Sequence, residues 1–317
     1  MPISQPMVQL TAPDIGPYRV GNTGVDHVHR FVAPAPGPDV LVTAIVHGNE
    51  LCGAIALDWF FRSELRPRRG TLTLAFCNVD AYARFDPADP TASRFVDEDF
   101  NRVWDPEVLD GARATSELRR ARALRPVVVA ADFLLDIHSM QNATAPLMLC
   151  GPLAKGRAWA RRIGFPQTIV SDAGHAAGRR MRDHGAFGDP ASPRNALLVE
   201  CGQHWEPAAA AVARETMLRV LVDLGTLDAA DAAPHLPAAP PPPARVVEIT
   251  DAVTVTGDRF EFTADYVGME VVARRGTVIG YDDGAPVATP YDDCVLIMPS
   301  RRLKRGQTAV RLGRVVD

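Results

Sequence analysis

At 317 residues the chain is long enough for one large domain, or for a large domain with a smaller companion. Its 47% hydrophobic and 23% charged content is that of an ordinary water-soluble globular protein, and a formal charge of −4 excludes the basic surplus that nucleic acid or an anionic membrane requires. No apolar run reaches the roughly 18 residues of a membrane-spanning helix.

The five cysteines, Cys52, Cys77, Cys150, Cys201 and Cys294, are scattered and odd in number, with no C-x-x-C pair. That usage fits free thiols in a reducing compartment better than disulfides or a thiolate metal site. The first residues, MPISQPMVQL, lack the basic and apolar regions of a signal peptide, so a cytoplasmic protein is expected.

In chain order, residues 40–46 (VLVTAIV) predict a buried strand through a continuous β-branched run. Residues 50–65 follow with helical spacing through Leu51, Ile55, Leu57, Phe60 and Phe61. A second strand is predicted at 71–77, a non-periodic loop at 94–104 (RFVDEDFNRVW) and a helix at 107–124. Further strands are expected at 133–137, 146–149, 167–170 and 196–199, with helices at 154–163 and 207–224. This alternation implies an α/β fold, a mixed-sheet core with helices on both faces, over residues 1–228. Ligands of such sheets gather beyond the carboxyl ends of the strands. Residues 229–245, dominated by AADAAPHLPAAPPPPA, predict a semi-rigid Pro/Ala-rich linker. The short β-branched stretches that follow (VVEIT, VTVTG, EVVARRG, TVIGY, CVLIMPS, TAVRLG) predict a small all-β domain at 246–317.

Three of the predicted strands end on chemistry. His47 and Glu50, in HGNE, sit just past the first, with Gly48 allowing a sharp turn. Imidazole and carboxylate together suit a cation such as zinc, although an isolated H-x-x-E also describes the polar rim of a strand. His138, in DIHS, ends another strand, and Asp136 on the same side is placed to accept its second ring N–H. Glu200 closes a third strand, in VECG; beside an activated water it is a general base, and otherwise the partner of an arginine. The 94–104 loop adds Arg94, Asn101 and Arg102, of which Arg102 can grip a carboxylate through two parallel bonds. Asp97 and Asp99 either hold these arginines or belong to a solvated charged loop.

These motifs, HGNE, RFVDEDFNR, DIHS and VECG in that order, resemble those of the succinylglutamate desuccinylase/aspartoacylase family, a branch of the zinc carboxypeptidase-like hydrolases. The resemblance spans residues 40–206. It implies one Zn2+ per chain bound by His47, Glu50 and His138, with Glu200 as base and acid and Arg94 polarising the scissile carbonyl. It implies Asn101 and Arg102 as holders of a substrate carboxylate, and a β domain that narrows access to the site. The implied reaction cleaves the amide of a small N-acyl amino acid, with no nucleic-acid or membrane partner and with homo-oligomers left open.

The chain departs from the family pattern at Phe100, where the commonest loop motif has leucine. The family's substrate-defining residues outside the four motifs do not align by eye. Arg179, Arg180 and Arg182 are candidates for a second carboxylate clamp, and Tyr281 and Tyr291 for reaching the site from the β domain. His204 and Trp205 either line the pocket or pack a helix start; His175 and His184 have no assigned role. The expectation is a zinc-dependent amidohydrolase. Its alternatives are a zinc carboxypeptidase on short peptides and a non-catalytic binding protein that retains the pocket.

Overall fold

The apolar run at 40–46 forms the second half of strand β2 and the turn that leaves it. A computed structural model describes residues 7–174, 177–301 and 303–316. The first half of the chain runs β1 (Val28–Val32), β2 (Ala35–Ala44), α1 (Leu51–Arg62), β3 (Arg69–Phe76), α2 (Val79–Tyr82), α3 (Pro106–Asp110), α4 (Ser116–Ala130) and β4 (Phe133–Met140). It continues with β5 (Leu147–Leu149), α5 (Ala154–Ile163), β6 (Thr168–Ser171), β7 (Asn195–Gln203), α6 (Pro207–Asp223) and α7 (Ala229–Ala232). The C-terminal strands are β8 (Arg245–Thr254), β9 (Phe260–Phe262), β10 (Val271–Val272), β11 (Val278–Asp282), β12 (Ala285–Ala288), β13 (Cys294–Ile297) and β14 (Thr308–Val315).

An eleven-stranded mixed sheet has the order β1-β3-β2-β4-β7-β5-β6-β8-β14-β13-β10. Its centre, β3-β2-β4-β7, is parallel, and every residue of β4 and β7 is buried. Alternation along the strands sorts side chains to two faces. Val40, Val42, Leu135, Ile137, Leu197 and Val199 meet α1 and α6 through Leu57, Phe60, Met217 and Leu221. Leu41, Leu134 and Ala196 meet α4 through Leu118, Ala121, Leu124 and Val128 on the other face. Each fully buried Leu, Val or Phe contributes about 1.5–3 kcal/mol of transfer free energy, so covering both faces of the central strands fixes their register.

Three expectations change. The helix predicted at 107–124 is two: α3 ends before Gly111, and α4 starts afresh where the Thr115 side chain accepts from Leu118 N–H, then runs past Pro126 to Ala130. The segment 229–245 is not a free spacer. Its first residues, AADA, carry no proline and form α7, capped by Asp228. His235 then stands edge-on to Trp59, and Leu236 and Ala244 pack on the main core. The C-terminal region is rich in strands, as expected, but it shares the main sheet: β8 pairs in parallel with β6, from Thr168 opposite Arg245 to Ser171 opposite Glu248. Only β12-β11-β9, among the described residues, form a separate small sheet. Among the described residues, no helix is long and apolar enough to cross a membrane.

Candidate active site

The carboxyl ends of β2, β4 and β7 lie side by side, and the candidate residues project from them. After β2 the backbone turns through Ile45 at φ 51°, a conformation that a β-branched residue adopts only under constraint. Gly48 follows; a Cβ there would sit 2.4 Å from Ala81 C and Ser93 O, so only glycine fits. This turn carries His47 back over the strand end and delivers Glu50 to the N-cap of α1. Glu50 makes no side-chain cap bond, and its carboxylate turns to the histidines instead.

His47 Nδ1 lies 2.8 Å from Glu50 Oε1, and His138 Nδ1 2.9 Å from Glu50 Oε2. The opposite ring nitrogens have carboxylates of their own. His47 Nε2 is 3.0 Å from Asp99 Oδ1, and His138 Nε2 is 3.0 Å from Asp136 Oδ2. Asp136 is fixed in turn by the Thr43 hydroxyl, which donates to it at 2.7 Å. Both imidazoles therefore turn Nδ1 to the Glu50 carboxylate and Nε2 to a second carboxylate, and Arg94 Nη2 also lies 2.9 Å from His47 Nε2. Second-sphere carboxylates orient metal-binding histidines in this way. His47, Glu50 and His138 are buried, and their three ligand atoms lie within 4.8 Å of one another. Burial alone would raise the Glu50 carboxyl, but His47 and His138 override it and hold it well below its ordinary value. Burial would lower the His138 imidazole, but Asp136 and Glu50 carry it well above its ordinary value. The two nitrogens and the carboxylate form a donor set whose chemistry suits a divalent cation, as in catalytic zinc sites.

Glu200 is the register partner of His138 on the adjacent strand. Its Oε2 is buried with no hydrogen-bond partner among the described residues. Burial first, then Glu50 and Asp136, push its carboxyl up to about 8, against the pull of His138 and Arg94.

Arg94 closes the other side. Its Nη1 is 3.4 Å from Glu50 Oε1 and its Nη2 donates to Asp99 Oδ2 at 3.1 Å. Asp99 therefore does two jobs, holding both Arg94 and His47; a solvated loop is not what the chain builds here. The loop is pinned by Glu117, whose buried carboxylate accepts the backbone N–H groups of Val96, Asp97 and Glu98 and the side chain of Asn78. Glu117 gave no signal in the sequence, because it lies in what reads as an ordinary amphipathic helix.

A cavity of about 300 Å³ opens over these groups and is also lined by Asn101, Arg102, Arg180 and Arg311. Asn101 accepts Met181 N–H at 2.9 Å, and its amide nitrogen is 3.5 Å from His138 Nε2. Arg102 donates to Asn101 O and is pushed down to about 10, by burial first and by the nearby Arg94, Arg180 and Arg311 against the opposing Asp99. Arg180 is gripped by Asp172 through two bonds and by Asp183 through Nε.

Of the arginine candidates, Arg179 does not reach the cavity. Its backbone bridges to Val103, and its side chain, 43% exposed, turns to Asp105 at 3.5 Å. Arg182 lines a second cavity instead. Tyr281 is exposed on β11, and Tyr291 bonds Thr250 beneath Arg314; neither lines the site. His204 does line it, with Nδ1 2.9 Å from Ser139 Oγ, whereas Trp205 packs and donates to Asn49 O. His184 is a packing residue, bonded to Trp104 O, and His175 lies outside the described residues.

A family model described as the succinylglutamate desuccinylase/aspartoacylase catalytic domain matches residues 36–222. The chain belongs to this family. It is a hydrolase of the desuccinylase/aspartoacylase type, and the match takes in His47, Glu50, His138 and Glu200. No curated protein matches the sequence. Among solved structures, succinylglutamatedesuccinylase/aspartoacylase from Rhodobacter sphaeroides is 19% identical at a TM-score of 0.63, over 92% of this chain and 89% of that one. Succinylglutamate desuccinylase from Chromobacterium violaceum is 16% identical at 0.66, over 93% and 90%. The product-bound ectoine utilization protein EutE (DoeB) from Ruegeria pomeroyi is 18% identical at 0.60, over 90% and 87%. These likenesses show a common fold over most of the chain.

Proposed function

We propose that the chain is a zinc-dependent amidohydrolase that removes the acyl group from an N-acyl amino acid or a similar small acylated amine in the cytoplasm. The observation that carries this reading is the convergence of His47 Nδ1, His138 Nδ1 and the Glu50 carboxylate, with the buried Glu200 carboxyl on the neighbouring strand. A divalent cation held by His47, Glu50 and His138 would supply Lewis acidity, polarising a carbonyl oxygen and acidifying a water.

Within that setting Glu200 takes a proton from the attacking water and returns it to the departing nitrogen. A carboxyl lifted toward neutrality suits a group that must both accept and donate. Arg94 faces the developing oxyanion; one well-placed donor of this kind contributes about 3–4 kcal/mol. Asn101, Arg102 and Arg180 hold a substrate carboxylate, and Arg179, turned toward Asp105, is withdrawn from this set.

All these groups fall within residues 1–228, the catalytic unit in this reading, while residues 246–317 supply the roof. Met298, Pro299, Ser300 and Thr308 line the cavity from the C-terminal strands. Such a roof supports small substrates over the peptides of a carboxypeptidase. Five buried free cysteines fit the reducing compartment.

The test is metal content together with turnover of a panel of N-acyl amino acids against a short peptide. Glu200→Gln is expected to keep the cation and substrate binding while losing turnover. Wild-type protein that takes up no stoichiometric cation, or that binds the panel without hydrolysing it, overturns the proposal.

A further inference from the structure

Beyond the matched region 36–222, one buried charge calls for an explanation. Arg311 lies in the middle of β14, in TAVRLG, and is 5% exposed. Its strand neighbours Val310 and Leu312 pack with Leu296 in the core of the C-terminal region. By the alternation of the strand, Arg311 takes the other face, opposite Ile297, which packs with Met140, Leu149 and Leu198. That face borders the catalytic cavity, and Arg311 lines it. An arginine raised from an apolar sheet face is costly unless partners or ligands use its charge.

One of its partners is shared. Asp172 Oδ2 lies 3.9 Å from Arg311 Nε and also accepts Arg180 Nη1 at 2.8 Å. Asp183 is divided in the same way between Arg180 and Arg182. Arg180, Arg182 and Arg311 thus share two aspartates, and Arg102 beside them is opposed by Asp99. Arg311 is held below its ordinary pKa by burial and by Arg180, in spite of Asp172 and Glu200, and Arg102 is pressed down by the same crowd. Arg180 has three of its five N–H donors committed to Asp172 and Asp183, which leaves it two for a substrate carboxylate. An entering carboxylate would relieve the repulsion among the guanidiniums and give Arg102 and Arg311 an anion that matches their planar forks.

We infer that Arg311 is a specificity-determining residue, contributed by the C-terminal strands, that reads a carboxylate of the substrate together with Arg102. The inference rests on the proposed reading of the cavity as the site of an N-acyl amino acid hydrolase.

Three matched substrate pairs identify which carboxylate is read: N-acetylglutamate against N-acetylglutamine, N-acetylalanine against its C-terminal amide, and N-succinylalanine against N-butyrylalanine. In metal-replete full-length protein, Arg311→Gln is expected to lower kcat/KM about 10- to 100-fold for the carboxylate-bearing member of one pair. Its neutral counterpart should change less than about threefold, so that the preference within that pair collapses. Arg311→Lys, which keeps the charge without the fork, should lose part of the same preference, and it carries the test if the glutamine variant fails to fold. Equal losses on both members of every pair, or no loss on any, overturn the inference. Thermal shift with the same compounds separates the two readings. If the wild type hydrolyses none of them but discriminates within a pair, and Arg311→Gln abolishes that discrimination, the hydrolase reading falls and the role of Arg311 stands.

Discussion

The two ends of the catalytic cavity are built in different ways. At the histidine end, His47 and Glu50 are three residues apart, Asp136 and His138 two apart, and Glu200 is one strand away in direct register. Short-range geometry delivers the whole set once β2, β4 and β7 lie side by side. At the arginine end, Arg102, the Asp172–Arg180 pair and Arg311 come from three distant parts of the chain, and Asp172 is shared between Arg180 and Arg311. Chemistry is encoded locally here, and recognition is assembled from afar.

Mutations at the two ends should therefore differ in kind. The largest effect is expected from Glu200→Gln, which should lower kcat by about 10²–10⁴ with cation content unchanged, as measured by steady-state kinetics beside elemental analysis. Next comes Asp172→Asn, which leaves the buried Arg180 with Asp183 as its remaining carboxylate and should cost up to about 3 kcal/mol of stability, read by chemical denaturation.

The same pair gives a pH signature. Burial would raise the Asp172 carboxyl, but Arg180 and its hydrogen bonds hold it below the ordinary value of 3.8. A carboxyl with a depressed folded pKa contributes stability that is complete above its unfolded pKa and is lost as pH falls through the folded one. Wild type should thus lose this increment below about pH 3.8, and Asp172→Asn should lack that component of acid sensitivity.

Smaller again, Asp99→Asn and Asp136→Asn should each weaken cation affinity about 10- to 100-fold in competition with a chelator, because each orients one imidazole. If both leave affinity untouched, the two ends are not as different as described. Smallest of all, Arg179→Ala should change kcat/KM by less than about twofold, the ordinary result for a surface side chain away from the site.

This contrast also explains what the sequence made legible. His47, Glu50, His138 and Glu200 announced themselves because a polar residue ending an apolar strand is conspicuous and its neighbours are close. The Asp136–His138 bond was readable from spacing alone. The choice between Arg179 and Arg180 was not, since adjacent residues point oppositely and the bridge from Val103 to Arg179 that fixes which one faces inward joins distant segments. Arg311 was hidden for the same reason: TAVRLG reads as a plain strand until β13 and β8 are known to flank it. The helix break at Gly111 was local and legible in principle, through Thr115 as a cap. The parallel pairing of β8 with β6 was invisible behind the prolines that precede it.

That pairing bears on any attempt to cut the protein in two. Removing everything after the prolines would not release a self-sufficient catalytic half. It would bare the long side of β6, from Thr168 to Ser171, with its backbone donors and acceptors open to any passing strand. A truncated chain is expected to self-associate rather than persist as a soluble monomer, because the proline-rich connection leads into a strand of the same sheet.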